Sequence, residues 1–323
     1  MAHWADEKER GGGYWQLKLM LTLRRALGRR LCAALMRPVV LVFYLTAPRA
    51  RSASIDFLTR AAAAVEPPRP EPSSRESYRH FVSFGEALLD KVDAWSSLIR
   101  VGQLVSEDDD LDELVDALRS KSGATLLCSH LGNAELLRAL ASLEVGGQIE
   151  GFSFTSIVEF SGTAKFNRLI AEIDPRSMGE LVPASDIGPD TMIALKERVD
   201  SGGLVVIAGD RVAAANRDKV IALDFFGDRA RFPYGPFLLA DLLESPVYFM
   251  SALRERDLDW RSPYIFHILR ARSPSGGDRR GRDARIAALA AEYASSLERE
   301  ALEHPYQWYN FFDFWEKGGS CER

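Results

Sequence analysis

From Gly123 to Glu303 the chain alternates between short apolar runs and stretches of helical period, and this alternation constrains the fold more than any other feature. Residues 125–128, 148–157, 204–208, 246–252 and 264–269 have the length and apolar content of strands. Residues 134–143, 162–173, 188–199, 236–243 and 283–303 have the spacing of helices. Strands separated by helices need crossover connections. The expected fold class is therefore α/β, layered, with a mostly parallel central sheet flanked by helices. With 46% hydrophobic residues in 323, the chain is long enough to bury such a core.

The segments upstream differ in character. In residues 14–36, Tyr14, Leu17, Leu21, Leu27, Leu31 and Leu35 recur at helical spacing among Lys18, Arg24, Arg25, Arg29 and Arg30. An apolar run, 39–47, follows between Pro38 and Pro48. Four prolines within residues 67–72 forbid a helix there. Helical period resumes over 75–100, and Ser106 is placed to cap a further helix through Leu118. The chain thus divides into an N-terminal region (1–64), a Pro-rich linker (65–75) and an α/β domain (76–323).

Charge follows the same division. The net charge is −5, which argues against a nucleic-acid binder driven by overall positive charge. Residues 1–60 nevertheless hold eleven basic and four acidic side chains, a local charge of +7. A basic amphipathic helix followed by a short apolar hairpin suits an element lying in a bilayer surface. Each basic residue near an anionic leaflet contributes on the order of 1 kcal/mol. A solvated basic face on a soluble helix is the plainer alternative. Arg37 and Pro38 interrupt the apolar run, which argues against the ~20-residue apolar stretch of a spanning helix. The mixed charges of residues 3–10 do not read as a cleaved secretory signal. Cys32, Cys128 and Cys321 are too scattered for a disulfide framework or a zinc site.

The most informative junction is Ser129-His130-Leu131-Gly132-Asn133-Ala134-Glu135, between an expected strand and an expected helix. Open α/β sheets bind ligands at the carboxyl ends of their strands, where His130 lies. A short loop can fold the Glu135 carboxylate back to the imidazole, giving a general base with an orienting partner. Gly132 permits close backbone approach and Asn133 carries donors for a substrate carbonyl. Spacing alone is weak: with 5 histidines and 46 acidic residues in 323, about 0.7 such pairs are expected by chance. The strand-to-helix context gives it weight.

His130 to Glu135 resembles the first motif of the lysophospholipid acyltransferase superfamily, in the branch of the late lipid A acyltransferases and their predicted relatives. Other segments fit in order: Trp4 with Glu9-Arg10-Gly11; Val205 to Gly209-Asp210-Arg211; Phe226-Gly227; Phe232-Pro233-Tyr234-Gly235-Pro236 with Leu239-Ala240; and Pro305-Tyr306-Gln307-Trp308. The resemblance implies transfer of a fatty acyl chain from a thioester, on acyl carrier protein or CoA, to a hydroxyl or amine of a lipid. The setting it implies is the cytoplasmic face of a bacterial inner membrane, with no cofactor. His130 is then the general base and Glu135 its orienting carboxylate. Asn133, Arg211 or backbone N–H groups near Gly235 are candidates for the oxyanion, and Asp210 joins them on the substrate side. Arg168 and Arg211 are candidates for holding phosphate groups, although Arg168 sits on an expected helix with no motif around it. The acceptor stays open among lipid A-like molecules, aminolipids, glycolipids and polyene lipids.

Two other readings compete. Cys128 and His130 lie two apart on a strand and so on one face, the arrangement of a thioester hydrolase with a covalent intermediate. A non-catalytic peripheral membrane protein that binds lipid through its basic N-terminus is the third. Seven aromatics in the ten residues Tyr306 to Trp315 are expected to close a core, with an acyl channel as the alternative. His267 reads as a satisfied core histidine, and for His80 and His304 no partner is evident in the sequence.

Overall fold

A computed structural model describes residues 14–95, 104–106, 110–134, 136, 153–158, 180–212 and 218–315. Nine strands are described: β1 (Leu104–Ser106), β2 (Ala124–Gly132), β3 (Phe154–Val158), β4 (Glu180–Pro183), β5 (Leu204–Ala208), β6 (Val220–Phe225), β7 (Asp228–Pro233), β8 (Val247–Arg254) and β9 (Tyr264–Arg270). Seven form one sheet in the order β1-β9-β8-β2-β5-β3-β4, and β6 and β7 form a separate hairpin. From β8 to β4 every pair is parallel; β9 runs antiparallel to β8, with β1 parallel to it. The expected α/β class with a mostly parallel sheet is what the chain adopts.

Alternate residues of the central strands enter two cores, as the two-residue period of a strand requires. Leu127, Leu131, Val205, Ile207 and Phe249 face one core. Helices α6 (Gly235–Leu243) and α7 (Arg282–Glu303) cover it, together with the aromatic tail. Leu126, Cys128, Leu204, Val206, Tyr248 and Met250 face the other, under α4 (Asp110–Arg119). Ile286, Leu289, Tyr293 and Leu297 set the buried stripe of α7 at spacings of three and four. Burying each such side chain contributes about 1.5–3 kcal/mol. Between β4 and β5 runs α5 (Pro189–Asp200), close to its expected span. The helices expected over 134–143 and 162–173 lie outside the described residues, apart from Ala134 and Leu136.

The N-terminal region differs from expectation. Instead of a helix and an apolar hairpin, α1 (Tyr14–Thr46) runs through Pro38, and its break comes at Gly28, whose φ of 73° lies outside the helical range. The chain then bends by 95° into α2 (Pro48–Ala63). Among the described residues no single helix is long and apolar enough to cross a membrane. Phe57, Leu58 and Ala61 of α2 belong to the main core, so this helix is part of the α/β body. Helix α1 packs closely on α3 (Ser74–Trp95): a Cβ at Gly85 would stand 2.8 Å from Val40 Cγ2.

The basic residues of α1 are divided. Arg29 is buried and pairs with Asp93 at 2.8 Å and with Asp90. Arg24 pairs with Asp93 at 2.6 Å, and Arg254 of β8 pairs with Asp90 at 2.7 Å. This buried network ties α1, α3 and β8 together. Arg24 and Arg29, expected to attract an anionic surface, therefore neutralise internal carboxylates. Leu27, Leu31, Leu35, Val39, Val42 and Leu45 instead form an exposed apolar stripe along α1, beside exposed Arg30, Arg37 and Arg49.

Candidate active site

Strands β2 and β5 are parallel neighbours at the centre of the sheet, with Cys128 opposite Ala208. Two residues further along each strand direction come His130 and Asp210. The pairing of β2 with β8 is irregular between Cys128 and Gly132, which releases His130 from strict face alternation. Gly132 has a φ of 69°, and a Cβ there would collide with the Ala252 carbonyl. The backbone can turn out of the sheet at this point because the residue is glycine.

Asp210 holds His130 twice. Its Oδ1 lies 2.8 Å from His130 Nδ1, and its Oδ2 accepts the His130 backbone N–H at 2.8 Å. Trp308 Nε1 donates to the same Oδ2 at 3.2 Å. The Asp210 side chain is only 2% exposed, whereas that of His130 is 36% exposed. Burial alone would raise the Asp210 pKa, but the His130 charge and hydrogen bonds and the Arg211 guanidinium lower it to about 2. Desolvation and then Arg211 lower the His130 pKa below the ordinary 6.5, with Asp210 acting in the opposite sense. Near neutral pH the pair is thus a neutral imidazole and a carboxylate. A carboxylate only accepts, so Nδ1 carries the proton and Nε2 keeps its lone pair.

The tail adds a third layer of support. Leu131 forms an antiparallel bridge with Trp308. Gly132 N–H donates to Gln307 O at 2.8 Å, and Tyr309 N–H donates to His130 O at 3.1 Å. The Gln307 side chain accepts from Arg254 N and donates to Arg254 O, both at 2.8 Å. Residues 307–309 therefore extend the pairing past the end of β2 and stitch it to β8. The tail does close the core, with Trp308, Phe314 and Trp315 all buried, and it also reaches the His130–Asp210 pair.

The remaining candidates divide. Asp210, placed on the substrate side by the sequence, has both oxygens engaged by protein groups and faces His130 instead. Asp210 stands at His130 Nδ1; Glu135, expected as the orienting carboxylate, and Arg168 lie outside the described residues. Arg211 stands beside the pair and donates to Tyr309 O at 3.0 Å. Asn133 is buried, and its N–H donates to Ala252 O at 2.8 Å. Gly235 is exposed at the start of α6, and no described contact joins it to His130. Cys128 is packed in the second core. A narrow cleft with a volume of only about 10 Å³ lies behind Gly132 and Asn133 and is lined also by Glu86, Asp90 and Arg254. Burial raises the Glu86 pKa to about 7, against the influence of Arg29. Among the described residues no group of His, Cys, Asp and Glu is placed to hold a metal.

Two histidines without an evident partner in the sequence acquire one. His80 Nε2 meets Trp308 O at 2.8 Å and its Nδ1 meets Ser54 Oγ at 3.0 Å. His304 Nδ1 lies 3.3 Å from Asp257 Oδ1, which also accepts from Gln307 Nε2 at 2.7 Å. No local spacing signals these pairs, because the partners are distant in the chain.

The family model of the bacterial lipid A biosynthesis acyltransferases matches residues 79–317. No curated protein matches the chain.

Proposed function

Because the chain belongs to the family of bacterial lipid A biosynthesis acyltransferases, and so transfers acyl groups to a lipid acceptor, we propose that His130 is the general base of that transfer and Asp210 its orienting carboxylate. The observation that carries this reading is the His130–Asp210 contact of 2.8 Å at the carboxyl end of the central strands, with the imidazole partly open to solvent.

In this reading the acceptor hydroxyl or amine gives its proton to His130 Nε2 as its oxygen or nitrogen attacks the thioester carbonyl carbon. Asp210 stabilises the imidazolium that forms. The tetrahedral intermediate collapses by breaking the carbon–sulfur bond, and the imidazolium returns the proton to the leaving thiolate. The products are the acylated lipid and a thiol, from acyl carrier protein or CoA. Arg211, close enough to lower the His130 pKa, is the positive group assigned to the oxyanion. Burial of Cys128 in the second core supports direct transfer over a thiol acyl-enzyme.

The exposed apolar stripe of α1 supports action at a membrane surface. Flanking arginines suit anionic headgroups, and an apolar face on an amphipathic helix lies in the interface rather than across it. The acceptor is then met at the bilayer, on the cytoplasmic side where acyl thioesters are available.

The test is a mass-spectrometric comparison of lipid extracts from cells carrying the active protein or His130→Ala at equal abundance. A lipid heavier by one acyl chain in the first set alone is the expected result. Identical profiles from folded, equally abundant proteins would overturn the assignment of His130.

A further inference from the structure

We propose that Trp308 is a positioning residue of the reaction centre: its indole N–H fixes Asp210, and through Asp210 the ring of His130. The inference rests on the reading of His130 as the base.

A carboxylate can rotate about its Cβ–Cγ bond, so one hydrogen bond to His130 does not determine which oxygen faces Nδ1. In Asp210 two donors from different parts of the chain meet on Oδ2, the His130 backbone N–H at 2.8 Å and Trp308 Nε1 at 3.2 Å. With Oδ2 held, Oδ1 is aimed at Nδ1. Shielding on that side also keeps the carboxylate from turning toward an incoming substrate.

Trp308 is itself held in place. It is 1% exposed, with edge-on ring contacts to Phe57 at 4.8 Å, Phe314 at 5.1 Å and Phe225 at 5.4 Å between centroids. Its backbone bridges to Leu131, the residue after His130. Its carbonyl meets His80 Nε2 at 2.8 Å. A carbonyl only accepts, so His80 carries its proton on Nε2, and Nδ1 accepts from Ser54, whose hydroxyl in turn accepts from Ser77 at 3.0 Å. A relay of side chains on α2 and α3 thus ends on the backbone of the residue that holds Asp210. Core filling alone does not call for an N–H here, since a phenylalanine fills much of the same space. The donor has a separate task.

Two substitutions remove that donor in the full-length protein, Trp308→Phe and replacement of Trp308 by the near-isosteric 3-benzothienylalanine. The second keeps the ring shape should the first fail to fold. Thiol release is followed with a medium-chain acyl-CoA, then with the matching acyl carrier protein thioester, over a detergent-dispersed bacterial lipid extract. The His130 ring is titrated by NMR, its resonance identified by loss in His130→Ala. The expected result is a kcat about tenfold lower with KM within about twofold. The His130 titration moves upward by about 0.5 to 1 unit, because a carboxylate with one donor fewer stabilises imidazolium more. A pure packing role would leave the titration in place. Folded protein with unchanged kcat and unchanged titration overturns the proposal. Full activity of His130→Ala would instead refute the base assignment, while the titration would still judge whether Trp308 governs the pair.

Discussion

His130 and Asp210 lie two residues beyond Cys128 and Ala208, the last paired residues of β2 and β5, and their side chains meet there at 2.8 Å. The dyad is therefore a consequence of strand pairing. Where the pairing of these neighbouring parallel strands stops, each segment delivers one titratable residue to the same edge, and the tail residue Trp308 closes over them. Rigid strands hold such a constellation more closely than loops do.

Replacing Asp210 by Asn leaves one acceptor oxygen, which the His130 and Trp308 N–H groups claim, so the amide NH2 faces Nδ1. The amide permits the tautomer with Nε2 protonated, which cannot take a proton from the acceptor. We expect kcat to fall by about 10²- to 10⁴-fold with the circular dichroism unchanged. Glu135→Gln in the same assay separates the two carboxylates. A collapse with Glu135→Gln and near-normal turnover with Asp210→Asn would return the orienting role to Glu135.

The acid limb of the rate profile follows from the lowered His130 pKa. The base is active when neutral, so activity holds as pH falls below 6.5 and is lost only on passing through the depressed value. Asp210 stays ionised throughout that range, with its pKa at about 2. A profile of kcat/KM against pH that already declines above 6.5 in stable protein would contradict this environment for His130.

Much of this arrangement was legible locally, and the rest was not for identifiable reasons. Residues 204–208 announce β5 as an unbroken apolar run, and the observed strand has the same limits. Nothing near His130 announces that this run lies beside it, because parallel pairing joins segments eighty residues apart. A carboxylate five residues away was the local candidate for the orienting role, while the carboxylate at Nδ1 comes from the neighbouring strand. The arginines of α1 teach the same lesson: their charge is visible in the sequence, but the Asp90 and Asp93 that engage Arg24 and Arg29 are not. The hairpin of β6 and β7 turns at Phe226-Gly227, with φ of 52° and 77°.

His80 makes stability depend on pH. Burial lowers its pKa to about 4, against 6.5 for an ordinary imidazole. Between those values the unfolded chain binds more protons, so stability is full above pH 6.5 and falls as pH drops toward 4. The loss expected from this group is about 3 kcal/mol, at 1.36 kcal/mol per unit. His80→Gln retains a donor for Trp308 O and cannot titrate. Urea unfolding from pH 7 to pH 4 should show a shallower decline for the variant, and parallel curves would remove His80 as the cause.

Asp90 neutralises Arg29 and Arg254 at once within a buried network. Asp90→Asn leaves both guanidinium groups with less compensation in a low-dielectric site, which typically costs about 3–5 kcal/mol. We expect the urea midpoint to drop accordingly. A change below about 1 kcal/mol would mean that water reaches this network and screens it.

The two roles of α1, packing and lipid contact, are separable by substitution. Leu35 is 49% and Val42 63% exposed, so Leu35→Glu with Val42→Glu should leave folding intact. Each substitution removes apolar area that would enter a bilayer interface and adds a charge repelled by anionic lipid. At about 1 kcal/mol of lost burial per residue, before any repulsion, the pair should weaken partition onto anionic vesicles at least tenfold. Arg24→Gln should do the opposite. Its guanidinium is engaged with Asp93 at 2.6 Å, so its loss should lower thermal stability and leave vesicle binding near normal. Binding is measured by co-sedimentation with phosphatidylglycerol-rich vesicles at two salt concentrations. Undiminished binding by the double glutamate variant would show that the apolar stripe does not meet lipid. The exposed arginines alone, Arg30, Arg37 and Arg49, would then have to carry the attachment, and added salt would release it.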